Sequence, residues 1–439
     1  MKKLRMRVFY SLFFIAVSFG LIFSILSQVT NDSNTKKMNV LLITFDAMRR
    51  DHLGAYGYQR NTSPNIDAFS ENAILFDSFF TNGGVTFVSL PSMMSSRYPK
   101  LTRLNDTFYF KIEQNLTLFQ EYLKEKGYFT GAIVNNNITF TGALDGFDLL
   151  HVGDFADDRL VTKDLLDTLQ QEKEKSFFIW VHYISPHSPY KPVFPYNDSF
   201  YEDSFYNVTG QFSPDAVIPS NLDLIHNNPE FYISQYDGEI KFIDNEFGKV
   251  VSKLIELNLM NSTIIIISSD HGESLGEHGN YFFHGPYYDE NFRVPMIIYV
   301  PGLKSQRKRI DEQLPSLDIY PTVLDILGLE PVQDIDGSSY YSHISGNETS
   351  SKVVIGTLES EETTIFYRYY PWKYITVSGE PEALYNLATD PYEYDNKIIN
   401  YILQRNGSYE IVPNLEPEDE VILNYLIQTA KSYEGRFLG

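Results

Sequence analysis

The sequence contains no cysteine. Disulfides, thiolate metal sites and cysteine nucleophiles are therefore excluded. Positive charge is also scarce: 35 Lys and Arg stand against 57 Asp and Glu, a formal net charge of −22. A chain this acidic lacks the basic field that phosphate backbones require, which argues against nucleic acid as a partner. No internal repeat and no long low-complexity tract is visible. What is present is ordinary for a globular protein, since 43% hydrophobic and 21% charged residues rule out wholesale disorder. At about 150 residues per domain the length allows about three domains, or one large α/β domain with an appendage.

The N-terminus carries Lys2, Lys3, Arg5 and Arg7, followed by an uncharged run from Val8 to Val29. A run of about 20 apolar residues spans a bilayer core. The segment Ser24-Ile25-Leu26-Ser27-Gln28 offers a poor cleavage site, so an uncleaved anchor over 8–29 is expected rather than a signal peptide. The basic residues 1–7 place that end inside and the remainder outside, after a polar linker over 30–38. The expected location is thus the cell membrane, single-pass, with an extracytoplasmic soluble part. Glycosylation sequons at Asn31, Asn61, Asn105, Asn115, Asn137, Asn197, Asn207, Asn261, Asn347 and Asn406 point the same way. Chance would supply about four. Glycosylation without cysteine suits an archaeal or bacterial exterior better than a eukaryotic secretory pathway.

Beyond the linker, Val40 to Phe45 is a nearly continuous apolar run, the pattern of a strand buried on both faces of a parallel sheet. Similar runs stand at Gly131–Val134, Phe177–His182, Thr263–Ser268 and Val294–Val300, with helical patterns at Asn65–Asn72, Leu118–Glu125, Lys163–Gln171, Ile233–Leu257 and Ser316–Leu327. This alternation predicts an α/β fold: a large central, mostly parallel sheet with helices on both faces, over 39–345. From about Lys352 the texture changes to short aromatic strands and a final helix near Glu418–Ser432, predicting a smaller C-terminal α+β part over 346–439.

Ligands of open α/β sheets bind beyond the carboxyl ends of the strands. Asp46, the pair Asp270-His271, and His182 stand at such exits. Carboxylates and imidazoles there suit a divalent cation held by oxygen and nitrogen. A lone strand-end Asp is an ordinary turn former, but three such exits in one chain favour a site. Arg49, just after Asp46, either pairs with an acidic group or faces that site.

The run from Asn39 to Tyr58, containing Asp46-Ala47-Met48-Arg49-Arg50-Asp51-His52, resembles the opening of the sulfatases within the alkaline phosphatase superfamily. Further matches follow in family order: Ser63-Pro64-Asn65-Ile66-Asp67, Ser89-Leu90-Pro91-Ser92-Met93, Pro186-His187-Ser188-Pro189-Tyr190, and Tyr236-Asp237-Gly238-Glu239-Ile240. Then come Ser269-Asp270-His271-Gly272-Glu273, Gly276-Glu277-His278-Gly279, His284-Gly285, Arg293-Val294-Pro295-Met296-Ile297, and Leu384-Tyr385-Asn386-Leu387 with Thr389-Asp390-Pro391. The resemblance covers roughly residues 39 to 396. It implies a divalent metal held by Asp46, Asp270 and His271, with Ser89 as the nucleophile that also touches the metal. It implies that His187 and His284 stand around the anionic group of the substrate. Calcium is the ion expected of a sulfatase, with manganese, magnesium and zinc as alternatives.

The sequence departs from the sulfatase pattern at Ala47, where the family carries a second Asp, and at Met93, where its nucleophile motif carries Arg. The missing cysteine closes the usual route to a formylglycine nucleophile. The remaining set of Asp46, Ser89, Asp270 and His271 also resembles the one-metal sites of lipoteichoic-acid-synthase-like phosphotransferases, which use an unmodified hydroxyl. The expected function is therefore a metal-dependent, sulfatase-like hydrolase of sulfate esters outside the cell, acting on a sulfated glycan or conjugate. The alternative is a phosphodiesterase or phosphotransferase using unmodified Ser89 on lipid head groups or surface polymers. A silent binding module is disfavoured, because pure binding has no need of Asp46, Asp270 and His271 together.

Overall fold

In the computed structural model the strand β1 (Asn39–Phe45) is buried along its whole length. The structure describes residues 37–104, 107–153, 155, 157–200, 217–218, 228–284, 286–303, 308–358, 364–398, 403–405, 408–410 and 417–437. The expected anchor over 8–29 lies outside the described residues, and among those described no helix is long and apolar enough to cross a membrane.

Seven further strands complete the sheet that surrounds β1: β2 (Ile74–Phe80), β3 (Phe129–Val134), β4 (Leu149–Val152), β5 (Phe177–Tyr183), β6 (Thr263–Ser269), β7 (Met296–Tyr299) and β8 (Arg309–Pro315). They lie side by side in the order β8-β2-β7-β6-β1-β5-β3-β4. Strand β1 pairs in parallel with β5 and β6, bringing Thr44 level with His182 and Ser268. Strand β7 is antiparallel to both of its neighbours. Every other pairing in this sheet is parallel.

The two-residue period of the strands sends alternate side chains into two separate cores. Leu41, Ile43, Phe45, Ile179, Val181, Ile265 and Ile267 enter one. It is covered by α1 (Pro64–Ser70), α4 (Asp158–Glu172) and α5 (Pro229–Glu256), which contribute Ile66, Leu165, Leu169, Ile240, Ile243 and Phe247. Val40, Leu42, Phe178, Trp180, Ile264 and Ile266 enter the other. There they meet α2 (Thr86–Ser95), α3 (Phe119–Glu125) and α6 (Ile319–Ile326), through Leu90, Met93, Phe119, Tyr320 and Val323. Each fully buried Ile or Leu stabilises by about 1.5–3 kcal/mol, so both layers hold β1 firmly. Helix α5 starts where it does because Asn228 accepts a hydrogen bond from the Glu230 amide and Pro229 occupies the first turn.

A second sheet of β9 (Val354–Thr357), β10 (Thr364–Tyr369), β11 (Trp372–Val377) and β12 (Glu380–Asn386) is antiparallel throughout. Leu423, Leu426 and Ala430 of α7 (Pro417–Phe437) pack with Tyr367 and Tyr374 of this sheet. A bridge between Gly83 and Thr357 sets the small sheet beside the turn that precedes α2.

Three departures from the sequence pattern have physical causes. The apolar run at Val294–Val300 contains a strand of only Met296–Tyr299, and it runs against its neighbours; an apolar run carries no mark of direction. Strand β8 reads RIDEQLP because it is an edge strand, with one neighbour. Strand β2, ILFDSFF, has polar residues in its middle that obscure the apolar run. Its Asp77 is paired with Arg309 of β8.

Candidate active site

The parallel strands β1, β5 and β6 end together, and the residues just past them form a buried polar group. Asp46 leaves β1 with its amide bonded to the Tyr183 carbonyl at 2.9 Å, and Asp270 leaves β6 with its amide bonded to the Phe45 carbonyl at 3.1 Å. The backbone thus brings two carboxylates from distant parts of the chain to one place. Asp46, Asp270 and His271 each offer a ligand atom, and these atoms lie within 4.8 Å of one another. All three residues are fully buried.

Hydrogen bonding leaves one side of the group unsatisfied. Asp270 Oδ1 accepts from the amides of Ala47 at 3.2 Å and His271 at 2.8 Å. Asp46 Oδ1 and Asp270 Oδ2 are buried with no hydrogen-bond partner. His271 Nδ1 donates to the Gly272 carbonyl at 2.8 Å, leaving Nε2 an acceptor in the neutral ring. That Nε2 lies 3.4 Å from Asp46 Oδ1 and 3.5 Å from Asp270 Oδ2. With both carboxyls ionised, these acceptors repel one another, and a divalent cation at their centre resolves the conflict. The residues fit such an ion.

The proton equilibria agree. Burial, and then the charge of Asp46, push Asp270 up to about 7. Burial, and then the neighbouring His284, push His271 down to about 3, keeping it the neutral ring that a metal requires. Burial acts to raise Asp46, but His187, His182 and His271 together hold its carboxyl well below the usual range.

Glycine is needed beside the ligands. A Cβ on Gly272 would stand 2.0 Å from the Glu290 carbonyl oxygen, so the chain following His271 can pass there only without a side chain. Ala47, which stands where the family resemblance leads one to expect a second Asp, adopts a left-handed backbone with φ of 62°. Its carbonyl accepts from Tyr236 Oη at 2.8 Å.

His284 and His187 lie next to the group. The His284 ring centre is 4.3 Å from that of His271 and 5.2 Å from that of His187. Burial acts to lower His284, but the carboxylate of Glu273, with Oε1 3.8 Å from its Nδ1, raises it overall. Glu273 is itself held by Tyr190 Oη at 2.9 Å. His182, fully buried, has Nε2 3.6 Å from Asp46 Oδ2 and Nδ1 3.0 Å from Thr44 Oγ1. Arg49 is engaged by acidic groups, Asp51 at 2.7 Å and Glu277 at 2.8 Å.

The hydroxyl that meets the carboxylates belongs to Thr86. Its Oγ1 lies 3.3 Å from Asp46 Oδ2 and 3.3 Å from His271 Nε2. Ser89, the hydroxyl expected there, stands one helical turn further along α2, with its Oγ buried and making no hydrogen bond. Asn136 adds a donor to Asp46 Oδ2 at 3.3 Å. Neither Thr86 nor Asn136 lies in the motifs that carry Asp46, Ser89, His187, Asp270, His271 and His284. The available sign for Thr86 was the Gly83-Gly84 pair just ahead of it, since a glycine turn opening a helix is a usual place for an anionic ligand.

Residues 38–329 match the family described as Sulfatase, and residues 276–416 the family described as N-sulphoglucosamine sulphohydrolase, C-terminal. The chain is 27% identical over 373 residues to the iduronate 2-sulfatase of Homo sapiens, covering 69% of this chain and 66% of that protein. It therefore spans just under two thirds of the human relative's length. It is 25% identical over 444 residues to the arylsulfatase of Clostridium perfringens, covering 82% of this chain and 90% of the relative. Among solved structures, the phosphonate monoester hydrolase of Agrobacterium radiobacter has the same fold, with a TM-score of 0.70 at 18% identity over 91% of this chain and 96% of that one.

Proposed function

The chain belongs to the sulfatase family, and on that premise we propose that it is a metal-dependent hydrolase of sulfate esters acting outside the cell. The observation that carries the proposal is the buried Asp46–Asp270–His271 group, with its bare oxygens converging at the ends of the parallel strands. Two carboxylates and one imidazole suit a hard divalent cation, and calcium is the ion we assign, with magnesium, manganese and zinc as the competitors to test. Such an ion polarises the ester and offsets negative charge brought by the attacking oxygen.

The chain's own groups complete the chemistry. Asp46 and Asp270 hold the charge that attracts the ion, and Gly272 fixes His271 in the ring form that can bind it. His284, kept basic by Glu273, and His187 beside it present imidazoles to the anionic group and the departing oxygen. The substrate class proposed is a sulfated glycan or conjugate, a reading supported by the iduronate 2-sulfatase and arylsulfatase relatives.

A second reading is a phosphodiesterase or phosphotransferase acting on lipid head groups or surface polymers. One observation favours it: the hydroxyl at the group is that of Thr86, in a chain without the cysteine that is the usual source of formylglycine. The two readings separate by assay. Full-length protein is stripped with chelator, reloaded with one cation at a time, and offered 4-nitrophenyl sulfate and bis(4-nitrophenyl) phosphate. Sulfate release that requires the cation supports the first reading; cleavage of the phosphate diester alone moves the assignment to the second.

We place the soluble part outside the cell, tethered by the apolar run 8–29. The positions of the sequons support this, because Asn61, Asn115, Asn137, Asn261 and Asn347 are exposed. Protease added to intact cells of the native host should remove the soluble part; protection of the whole chain would remove this placement.

A further inference from the structure

We infer that Thr86, and not Ser89, supplies the attacking oxygen, so that the transferred group rests on an unmodified threonine as a simple ester. The inference rests on the hydrolase or transferase reading given above and deepens it. The Thr86 hydroxyl lies 3.3 Å from the carboxylate oxygen Asp46 Oδ2 and 3.3 Å from His271 Nε2, the ring nitrogen that faces the cation site. Toward the Asp46 oxygen the hydroxyl can act only as a donor. Its proton is drawn inward, and its remaining lone pairs are free for an electrophile.

Ser89 has no such surroundings. Three residues further on, it is about 4.5 Å along the helix axis. It is fully buried, and its Oγ has no hydrogen-bond partner to take a proton. The turn ahead of α2 packs against its backbone, where a Cβ on Gly83 would lie 2.6 Å from the Ser89 amide nitrogen. Thr86, at the first position of α2, keeps 5% of its surface and stands where helix amides have no partner within the helix. Those amides favour a negatively charged group beside Oγ1.

The steps balance without any redox partner. In the first, Oγ1 forms a bond to the sulfur or phosphorus of the ester, the bond to the departing oxygen breaks, and the hydroxyl proton ends on the released alcohol. In the second, water or another alcohol attacks the same sulfur or phosphorus, the bond to Oγ1 breaks, and threonine regains its proton. Threonine carries a methyl group where the hydrate of an aldehyde carries its second hydroxyl. The bound group therefore cannot be expelled by a neighbouring hydroxyl on the same carbon, and an outside acceptor must remove it.

The test uses full-length protein loaded with calcium or manganese and two probes, 4-nitrophenyl sulfate and bis(4-nitrophenyl) phosphate, quenched in acid and analysed by peptide mass spectrometry. The expected result is added mass of one sulfuryl or phosphoryl-ester group on Thr86, in the wild type and in Ser89→Ala alike. Thr86→Ala should lose the adduct and on the order of 10³-fold or more in kcat, while Thr86→Ser keeps the adduct. Thermal melting and calorimetric binding of the cation to Thr86→Ala establish that the variant is folded and loaded. An adduct on Ser89, or full turnover by folded Thr86→Ala, overturns the assignment and leaves the hydrolase reading standing. A wild type that binds the cation but turns over neither probe overturns the hydrolase reading, and this inference with it.

Discussion

His271 Nε2 lies 3.4 Å from Asp46 Oδ1, and the neutral ring has no proton on that nitrogen to join them. The proton that would do so is committed on the far side of the ring, where Nδ1 donates to the Gly272 carbonyl at 2.8 Å. Glycine at 272 is what lets that carbonyl stand there, because Glu290 approaches too closely for any side chain. One backbone position thus sets the ring's tautomer, and the tautomer makes the group a receptor for a cation.

The cation should stabilise the folded protein, and removing a carboxylate should do the same in its absence. At a free cation concentration 100 times its Kd, mass action adds about 2.7 kcal/mol. Asp270→Asn removes one of two facing buried carboxylates, so the chelator-treated variant should melt higher than chelator-treated wild type, by about 1–2 kcal/mol. It should also lose the rise in Tm on adding calcium. Differential scanning calorimetry with and without chelator measures both; a variant that still responds to calcium as the wild type does would contradict the ligand role of Asp270.

Cation affinity should depend on pH. Asp270 is raised from 3.8 to about 7, so below about pH 7 the cation-free native state holds a proton that binding must displace. Affinity should fall about tenfold between the plateau and pH 6, with close to one proton released per ion bound at that pH. For the cation-free protein the sign is the reverse of the usual carboxylate case. The native state keeps a proton that the unfolded chain gives up above about pH 4, so this group's contribution to stability is lost as pH rises from about 4 to about 7. Isothermal titration in two buffers of different ionisation enthalpy counts the protons; affinity flat across pH 6–8 would count against the pairing of Asp46 with Asp270.

Glu273→Gln should act on the departing oxygen through His284. Losing the carboxylate 3.8 Å from Nδ1 lowers the basicity of that ring. For esters of poorly leaving alkyl alcohols kcat should fall by about 10²-fold or more, and for aryl esters, which need little proton donation, by much less. A variant that slows both classes equally would leave Glu273 a purely structural partner of Tyr190.

Lys373 is fully buried between Asp289 at 2.9 Å and Glu393 at 2.7 Å. Lys373→Met leaves two carboxylates without their shared cation, although Arg368 still holds Asp289 at 2.9 Å. The expected loss is about 3 kcal/mol or more, measured by urea denaturation of cation-loaded protein. Adding Glu393→Gln to the same variant should recover part of it; no recovery would mean that the loss comes from packing of the lysine stem.

Much of the architecture was legible because burial on both faces leaves a continuous apolar run. Val40–Phe45, Phe177–His182 and Thr263–Ser268 all read as central strands, and they lie side by side in the sheet. Asp46 and Asp270 stood out because each ends such a run with a charge. The edge strand β8 was not legible, because an edge strand has one neighbour and Arg309, Asp311 and Glu312 interrupt its apolar residues. The direction of β7 left no trace either, since an apolar residue packs equally well whichever way its strand runs.

The α/β class, the strand exits that carry Asp46, Asp270 and His271, and the exclusion of thiol chemistry all follow from the order of residues along the chain. Which hydroxyl stands among them is a matter of packing. Helix α2 is buried at nearly every position, from Thr86 to Ser95, so no periodic pattern marks the residue that faces the group. Thr86 meets Asp46 across 40 positions of sequence and His271 across 185, and that meeting exists only because β1 and β6 pair in register beside the start of α2. Spacing along a chain can suggest which residues are chemically able to act. Which of them meet depends on how distant strands and helices pack, and a motif of local neighbours does not contain that information.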